Sequence, residues 1–131
     1  PPASSLPPSP PPLATADKVA VVTGASGFLG STLVQQLLKD GWRVTALHRR
    51  TSDLTALDQV KAAHVARGGA PNDVVYKVAK LTDRASLEAA IAADTPVVFH
   101  VAAYMATWFG ADDAMYAANV LGTRTLLDVC L

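Results

Sequence analysis

The sequence predicts an α/β chain wound around a parallel sheet with helices on both faces, and three observations carry that prediction. Short apolar, β-branched runs alternate with stretches whose apolar residues recur at helical spacing, in the order β-α-β-α-β-α-β-α. Hydrophobic residues make up 50% of the chain, which suits strands buried on both sides. The first strand passes into the first helix through a glycine-rich turn, Thr23-Gly24-Ala25-Ser26-Gly27-Phe28-Leu29-Gly30. Right-handed crossovers then set strands 3-2-1 side by side. A fourth strand crossing to the far side of strand one gives a doubly wound sheet in the order 3-2-1-4. Its switch point lies between the carboxyl ends of strands one and four, where ligands bind.

Each element has its own local reason. Residues 1–16 hold seven prolines in the first twelve positions and read as a disordered linker or the remnant of a targeting segment. No arginine or lysine flanks the run, as an SH3-binding peptide would require. The globular part is residues 17–131. Strand one is Val19 to Thr23, and a helix from Phe28 to Lys39 carries the stripe Leu29, Leu33, Val34, Leu37 and Leu38. Asp40-Gly41 stops that helix. Strand two runs from Arg43 to Leu47 or His48, a weaker helix from Asp53 to His64, and a turn occupies residues 68–72. Strand three is Asp73 to Ala79. Thr82 or Asp83 caps a helix from Arg84 to Ala93, strand four is Val97 to Ala102, and a last helix starts at Asp112 or Asp113. The chain opens on proline and stops at Leu131 inside a helical pattern, so both ends read as cut. It is expected to be a fragment, truncated after the helix that follows strand four.

The glycine turn is where chemistry enters. A strand feeding a helix through such a turn aims unpaired backbone N–H groups, and the positive end of the helix dipole, at one point suited to a phosphate. Gly24 lets the chain leave the strand sharply, Gly27 lets backbone approach a diphosphate, and Gly30 lets the helix lie close on the sheet. The spacing T-G-x-x-G-x-x-G, between a strand and a helix, meets the structural condition for a dinucleotide fingerprint. It is not a P-loop, because no Gly-Lys-Ser/Thr follows.

Composition excludes several classes. Formal net charge is zero and charged residues are 17% of the chain, which leaves no electrostatic footprint for nucleic acid or an anionic membrane. The longest apolar run, Pro96 to Ala111, is interrupted by His100 and Thr107 and falls short of the ~20 residues that span a bilayer. The single cysteine, Cys130, excludes an internal disulfide and fits a reducing, cytoplasmic setting, or an organelle if residues 1–16 are a targeting remnant. His48, His64 and His100 lie without ligand spacing, so no metal is expected.

Three motifs in order, Thr23 to Gly30, then Val98-Phe99-His100-Val101-Ala102-Ala103, then Asn119-Val120-Leu121-Gly122-Thr123, resemble the extended short-chain dehydrogenase/reductase family. The likeness lies with its dihydroflavonol-reductase-like and epimerase/dehydratase members and covers residues 18 to 131. It implies a Rossmann-type fold and the cofactor-binding part of an oxidoreductase. Thr23, Gly24, Ser26, Gly27, Phe28, Leu29 and Gly30 would then seat the diphosphate. Ala102 and Ala103 would lie beside the ribose and nicotinamide, and Asn119 would help position a catalytic lysine. Arg49, in His48-Arg49-Arg50 after strand two, stands where reductase-like members place the arginine that pairs with the 2′-phosphate of NADP. NADP is therefore the expected cofactor, with NAD the alternative. The family usually has Asp-Leu after strand three, whereas this chain has Lys80-Leu81. Lysine cannot accept a hydrogen bond, so adenine recognition would rest on Leu81 and backbone groups.

The family's chemistry needs a tyrosine and a lysine at Tyr-x-x-x-Lys on a helix after strand five, with one turn placing both on one face. The only literal match, Tyr76 and Lys80, lies on strand three, where four residues span about 13 Å. It is rejected, and the catalytic pair is expected beyond residue 131. The full protein is expected to transfer hydride between nicotinamide and the carbonyl or alcohol carbon of a small-molecule substrate, the 131 residues alone being inactive. The alternatives are a nucleotide-sugar epimerase or dehydratase with bound NAD, and a non-catalytic dinucleotide sensor. The resemblance also implies a homodimer contact through the last helix.

Overall fold

The computed structural model describes residues 6–11, 18–105, 107–108 and 110–131. Residues 6–11 are exposed and carry no regular secondary structure; the remainder of the proline-rich segment, and so most of the expected linker, lies outside the described residues. Four strands, β1 (Val19–Thr23), β2 (Arg43–His48), β3 (Val74–Val78) and β4 (Val97–His100), form one parallel sheet in the order β3-β2-β1-β4. The doubly wound arrangement read from the alternation is the one observed.

Side chains alternate across the strands and so serve two helical layers. Ala20, Val22, Val44, Ala46 and Val74 pack against Val34, Leu37 and Leu38 of α1 (Phe28–Lys39) and Leu57 of α2 (Thr55–Ala66). Val21, Leu47 and Ala79 pack on the other face against Leu87 and Ala90 of α3 (Arg84–Ala90) and Leu126 of α5 (Gly122–Cys130). Between β4 and α5 lie α4 (Asp112–Tyr116) and a π-helical turn (Ala117–Leu121).

Six boundaries differ from the sequence reading: the second helix runs on to Ala66, the third strand stops at Val78, and four others differ for a local reason. Asp53 precedes α2 instead of joining it, because its carboxylate accepts from the Thr55 amide and hydroxyl. Asp73 belongs to a 3-10 turn (Pro71–Asp73), so β3 starts at Val74. The third helix stops at Ala90, since Ile91 is extended at φ −106° and ψ 112°. β4 stops at His100 because the next two amides turn to the Thr23 hydroxyl. The last helix begins at Asp112 but widens at Ala117–Leu121. There the Thr123 and Thr125 hydroxyls donate to the Asn119 and Leu121 carbonyls, offering those acceptors partners outside the regular ladder.

Candidate functional site

A cleft of about 610 Å³ opens at the carboxyl ends of β1, β2, β3 and β4. One wall is the turn Thr23, Gly24, Ser26 to Gly30; a second is Leu47, His48, Arg49 and Ser52 after β2; a third is Ala79 to Thr82 after β3. The fourth is Val101 to Tyr104 after β4. All eleven positions expected to meet a dinucleotide (Thr23, Gly24, Ser26, Gly27, Phe28, Leu29, Gly30, Arg49, Leu81, Ala102 and Ala103) line this one cleft. Asn119 does not; its amide stands behind the fourth wall.

Two of the three glycines are required by the turn itself. Gly24 sits at φ +63°, and a Cβ there would lie 2.7 Å from the Ala102 Cα. A Cβ on Gly30 would run into the Gly24 carbonyl oxygen. Gly27 differs: it is exposed at φ −76°, and an added Cβ would meet only the Gly24 oxygen, at 3.5 Å. Its bare Cα matters to the cleft more than to the fold. Gly27 is also the N-cap of α1 and supplies no capping side chain. The first amide bonded back along the helix is that of Ser31, to the Gly27 carbonyl, so the Phe28, Leu29 and Gly30 N–H groups have no partner in the helix. Bare donors at the positive end of a helix dipole, facing a glycine-floored cleft, are a fit seat for a diphosphate. The Phe28 and Leu29 side chains are themselves exposed at the cleft, 91% and 66%.

After β2, Ser52 closes a tight turn: its hydroxyl accepts from the Arg49 amide and its own amide donates to the Arg49 carbonyl. The turn directs the exposed Arg49 to the rim. At the end of the adjacent strand, Lys80 follows β3, its backbone amide and carbonyl both engaged by the Ser86 hydroxyl. Among the described residues of the lining, Arg49 and Lys80 are the arginine and the lysine, and none is an aspartate or glutamate.

The fourth wall is held by Thr23 and Asn119, which the sequence reading singled out, together with His100 and Thr123, to which it gave no role in the site. Thr23, 2% exposed, lies opposite His100 in the β1–β4 register, and its hydroxyl is 2.8 Å from the ring Nδ1. The same oxygen accepts from the Val101 and Ala102 amides, both at 3.1 Å. On the other side of the ring, Nε2 meets the Thr123 hydroxyl at 2.9 Å. Partial burial pushes the His100 ring below its ordinary value. Asn119, in the π turn, accepts from the Tyr104 amide and donates to the Tyr104 carbonyl, both at 2.8 Å. Tyr104 in turn meets Trp108 edge to face, with centroids 6.1 Å apart. Only strand pairing juxtaposes Thr23 and His100, which is why spacing along the chain carried no signal for their contact.

Tyr76 and Lys80, the rejected pair, do not act together. The Tyr76 phenol donates to the Asp58 carboxylate at 3.0 Å; burial first, and that bond second, push it up to about 12. Lys61 lies over the same ring, 5.4 Å from its centroid. Among the described residues, no group of three or more His, Cys, Asp or Glu side chains comes together to hold a metal, and no helix is long and apolar enough to cross a membrane.

The fold and the cleft together define a nucleotide-binding α/β domain. Comparison with known proteins carries this further. The model of the NAD dependent epimerase/dehydratase family matches residues 20–131. A Synechocystis relative, provisionally described as a dihydroflavonol 4-reductase, is 36% identical over 106 residues, which is 81% of this chain and 27% of the relative. A Mycolicibacterium smegmatis UDP-glucose 4-epimerase is 37% identical over 111 residues, 82% of this chain and 33% of that protein. Among solved structures, a short-chain dehydrogenase/reductase superfamily protein from Agrobacterium tumefaciens, with bound NAD, superposes with a TM-score of 0.63 at 30% identity, over 86% of this chain and 28% of that one. The chain belongs to the NAD-dependent epimerase/dehydratase family and carries its nucleotide-binding fold. It spans a third or less of the length of these relatives.

Proposed function

We propose that the cleft binds NADP, and that the protein it serves moves a hydride between the nicotinamide and the carbonyl or alcohol carbon of a small-molecule substrate. One observation carries the cofactor choice. Among its described residues the lining holds two cations, Arg49 and Lys80, and no carboxylate to accept from the paired ribose hydroxyls of NAD. A planar guanidinium suits a phosphate monoester, and Lys80 adds a second positive charge to a third wall of the same cleft. On this reading the orphan amides of Phe28, Leu29 and Gly30 hold the diphosphate, Ser26 offers a further donor, and the small Ala102 and Ala103 leave room for the nicotinamide end. Bound there, the nicotinamide supplies the hydride chemistry. The residues present orient it and contain no Tyr-x-x-x-Lys pair on a helix, so the 131 residues alone turn over no substrate.

Calorimetric titration with NADP and NAD tests the reading. NADP binds the tighter, and Arg49→Ala removes about tenfold or more of that preference, the worth of one charge-assisted hydrogen bond. Equal affinity for the two before the mutation refutes it. The epimerase relative supports a second reading, a nucleotide-sugar epimerase or dehydratase, for which NAD would be the tighter ligand. A homodimer through the last helix is also proposed, on the strength of exposed Val120, Leu121 and Leu127. Light scattering that finds a monomer at all concentrations counts against it.

A further inference from the structure

We infer that His100 is a positioning residue for the cleft: as the neutral Nε2–H tautomer, its ring ties the β1 turn, the end of β4 and the π turn into one arrangement. The inference rests on counting protons. A threonine hydroxyl has one hydrogen and two lone pairs. The Thr23 oxygen already accepts from the Val101 and Ala102 amides, so its own hydrogen is left for His100 Nδ1. Nδ1 must then be a bare acceptor, and a neutral ring carries its hydrogen on Nε2. That hydrogen goes to the Thr123 hydroxyl, whose own goes to the Asn119 carbonyl at 2.6 Å.

Every donor in this series meets an acceptor in one order only. A ring with hydrogen on Nδ1, charged or neutral, would aim a third donor at the Thr23 oxygen and leave the Thr23 hydrogen without a place. Burial works in the same direction, disfavouring the charged ring. The groups bonded to the ring are Thr23 from β1 and Thr123 from α5, neither of which ionises.

The consequence for the cleft is geometric. Thr23 directly precedes Gly24, and the Gly24 backbone lies so close to Ala102 that no Cβ fits between them. The wall that would seat the diphosphate and the wall beside the nicotinamide therefore meet at the Thr23–His100 contact. Asn119, whose carbonyl ends the series, holds the Tyr104 backbone on the same wall. The expected effect on affinity rests on the NADP reading above; the tautomer does not.

Two measurements test it. The ¹⁵N spectrum of the histidine rings at neutral pH should show His100 with hydrogen on Nε2 and a bare Nδ1. NADP titrations should show about a tenfold weaker dissociation constant for His100→Phe, and about a threefold loss for Thr123→Val, which removes the Nε2 partner together with its bond to the Asn119 carbonyl and leaves the Thr23–Nδ1 contact in place. His100→Asn, whose amide oxygen can take the Thr23 hydrogen, should recover most of the loss. A ring with hydrogen on Nδ1, or charged, overturns the inference. So does unchanged affinity in a folded His100→Phe, or in Thr123→Val if the phenylalanine variant fails to fold. Wild-type protein that binds neither dinucleotide refutes the cofactor reading and its affinity corollary, and the ring spectrum then decides the tautomer by itself.

Discussion

Replacing Gly27 with alanine separates what the fold needs from what the ligand needs. The backbone at φ −76° and ψ 175° is open to any residue, and the added methyl would touch only the Gly24 carbonyl oxygen, at an ordinary 3.5 Å. Two effects on stability oppose each other. Alanine narrows the unfolded ensemble, a gain of about 0.4–1 kcal/mol. It is also a poorer N-cap than glycine, a loss of about 0.5–1 kcal/mol. The net change should fall within about 1 kcal/mol of zero. In the cleft, however, the methyl stands beside the orphan Phe28 and Leu29 amides. An anion kept from one of them forfeits a charge-assisted hydrogen bond of about 1.5–3 kcal/mol, or roughly ten- to a hundredfold in dissociation constant. Gly30→Ala is the contrast. Its methyl would overlap the Gly24 carbonyl oxygen and lie 2.9 Å from the Ala25 Cα, backbone atoms that cannot step aside, so a loss of about 3 kcal/mol is expected. Urea unfolding and NADP titration of both variants decide the matter. A Gly27→Ala protein that binds as wild type, or that unfolds as readily as Gly30→Ala, refutes the reasoning.

Further outcomes follow from the same geometry. Lys80→Asp puts a carboxylate into a lining whose described residues include none, and should weaken NADP several-fold more than NAD, with the difference shrinking as salt is raised. Asn119→Ala deletes both bonds to the Tyr104 backbone and should cost about 1–2 kcal/mol in urea unfolding, with faster exchange of the Tyr104 amide. Tyr76→Phe should leave NADP binding, and any turnover of the protein, within about twofold of wild type, because a single net hydrogen bond to Asp58 is all that is lost; loss of turnover would reinstate Tyr76 as an acid. The hydrogen bond from His64 holds the Asp73 carboxyl below its usual range. That stabilisation is complete above the unfolded value of about 4 and disappears as pH falls through the lowered folded value. Asp73→Asn should therefore be less stable than wild type at neutral pH and converge with it in acid; a gap that persists at the lowest pH contradicts the assignment.

Hydrophobic periodicity and glycine spacing were enough to give the strands, the helices and the turn from Thr23 to Gly30, and right-handed crossovers the order of the first three strands, with β4 beyond β1 as the doubly wound pattern expects. These features are local or follow from chain handedness, so short stretches of sequence encode them. The eleven positions that the family resemblance implied prove to share one cleft, because strand ends in a parallel sheet open on one side. Residues after β3 were read through the family's usual aspartate, and Lys80 registered only as a departure. Its placement in the same cleft as Arg49, with no carboxylate among the described lining residues, is a fact of three dimensions. So is the proton order through Thr23, His100 and Thr123, since its partners stand 23 to 79 positions apart. Sequence determines what each segment becomes; tertiary structure alone decides which hydroxyl faces which ring, because a hydrogen bond is set by distance in space and leaves no period along the chain.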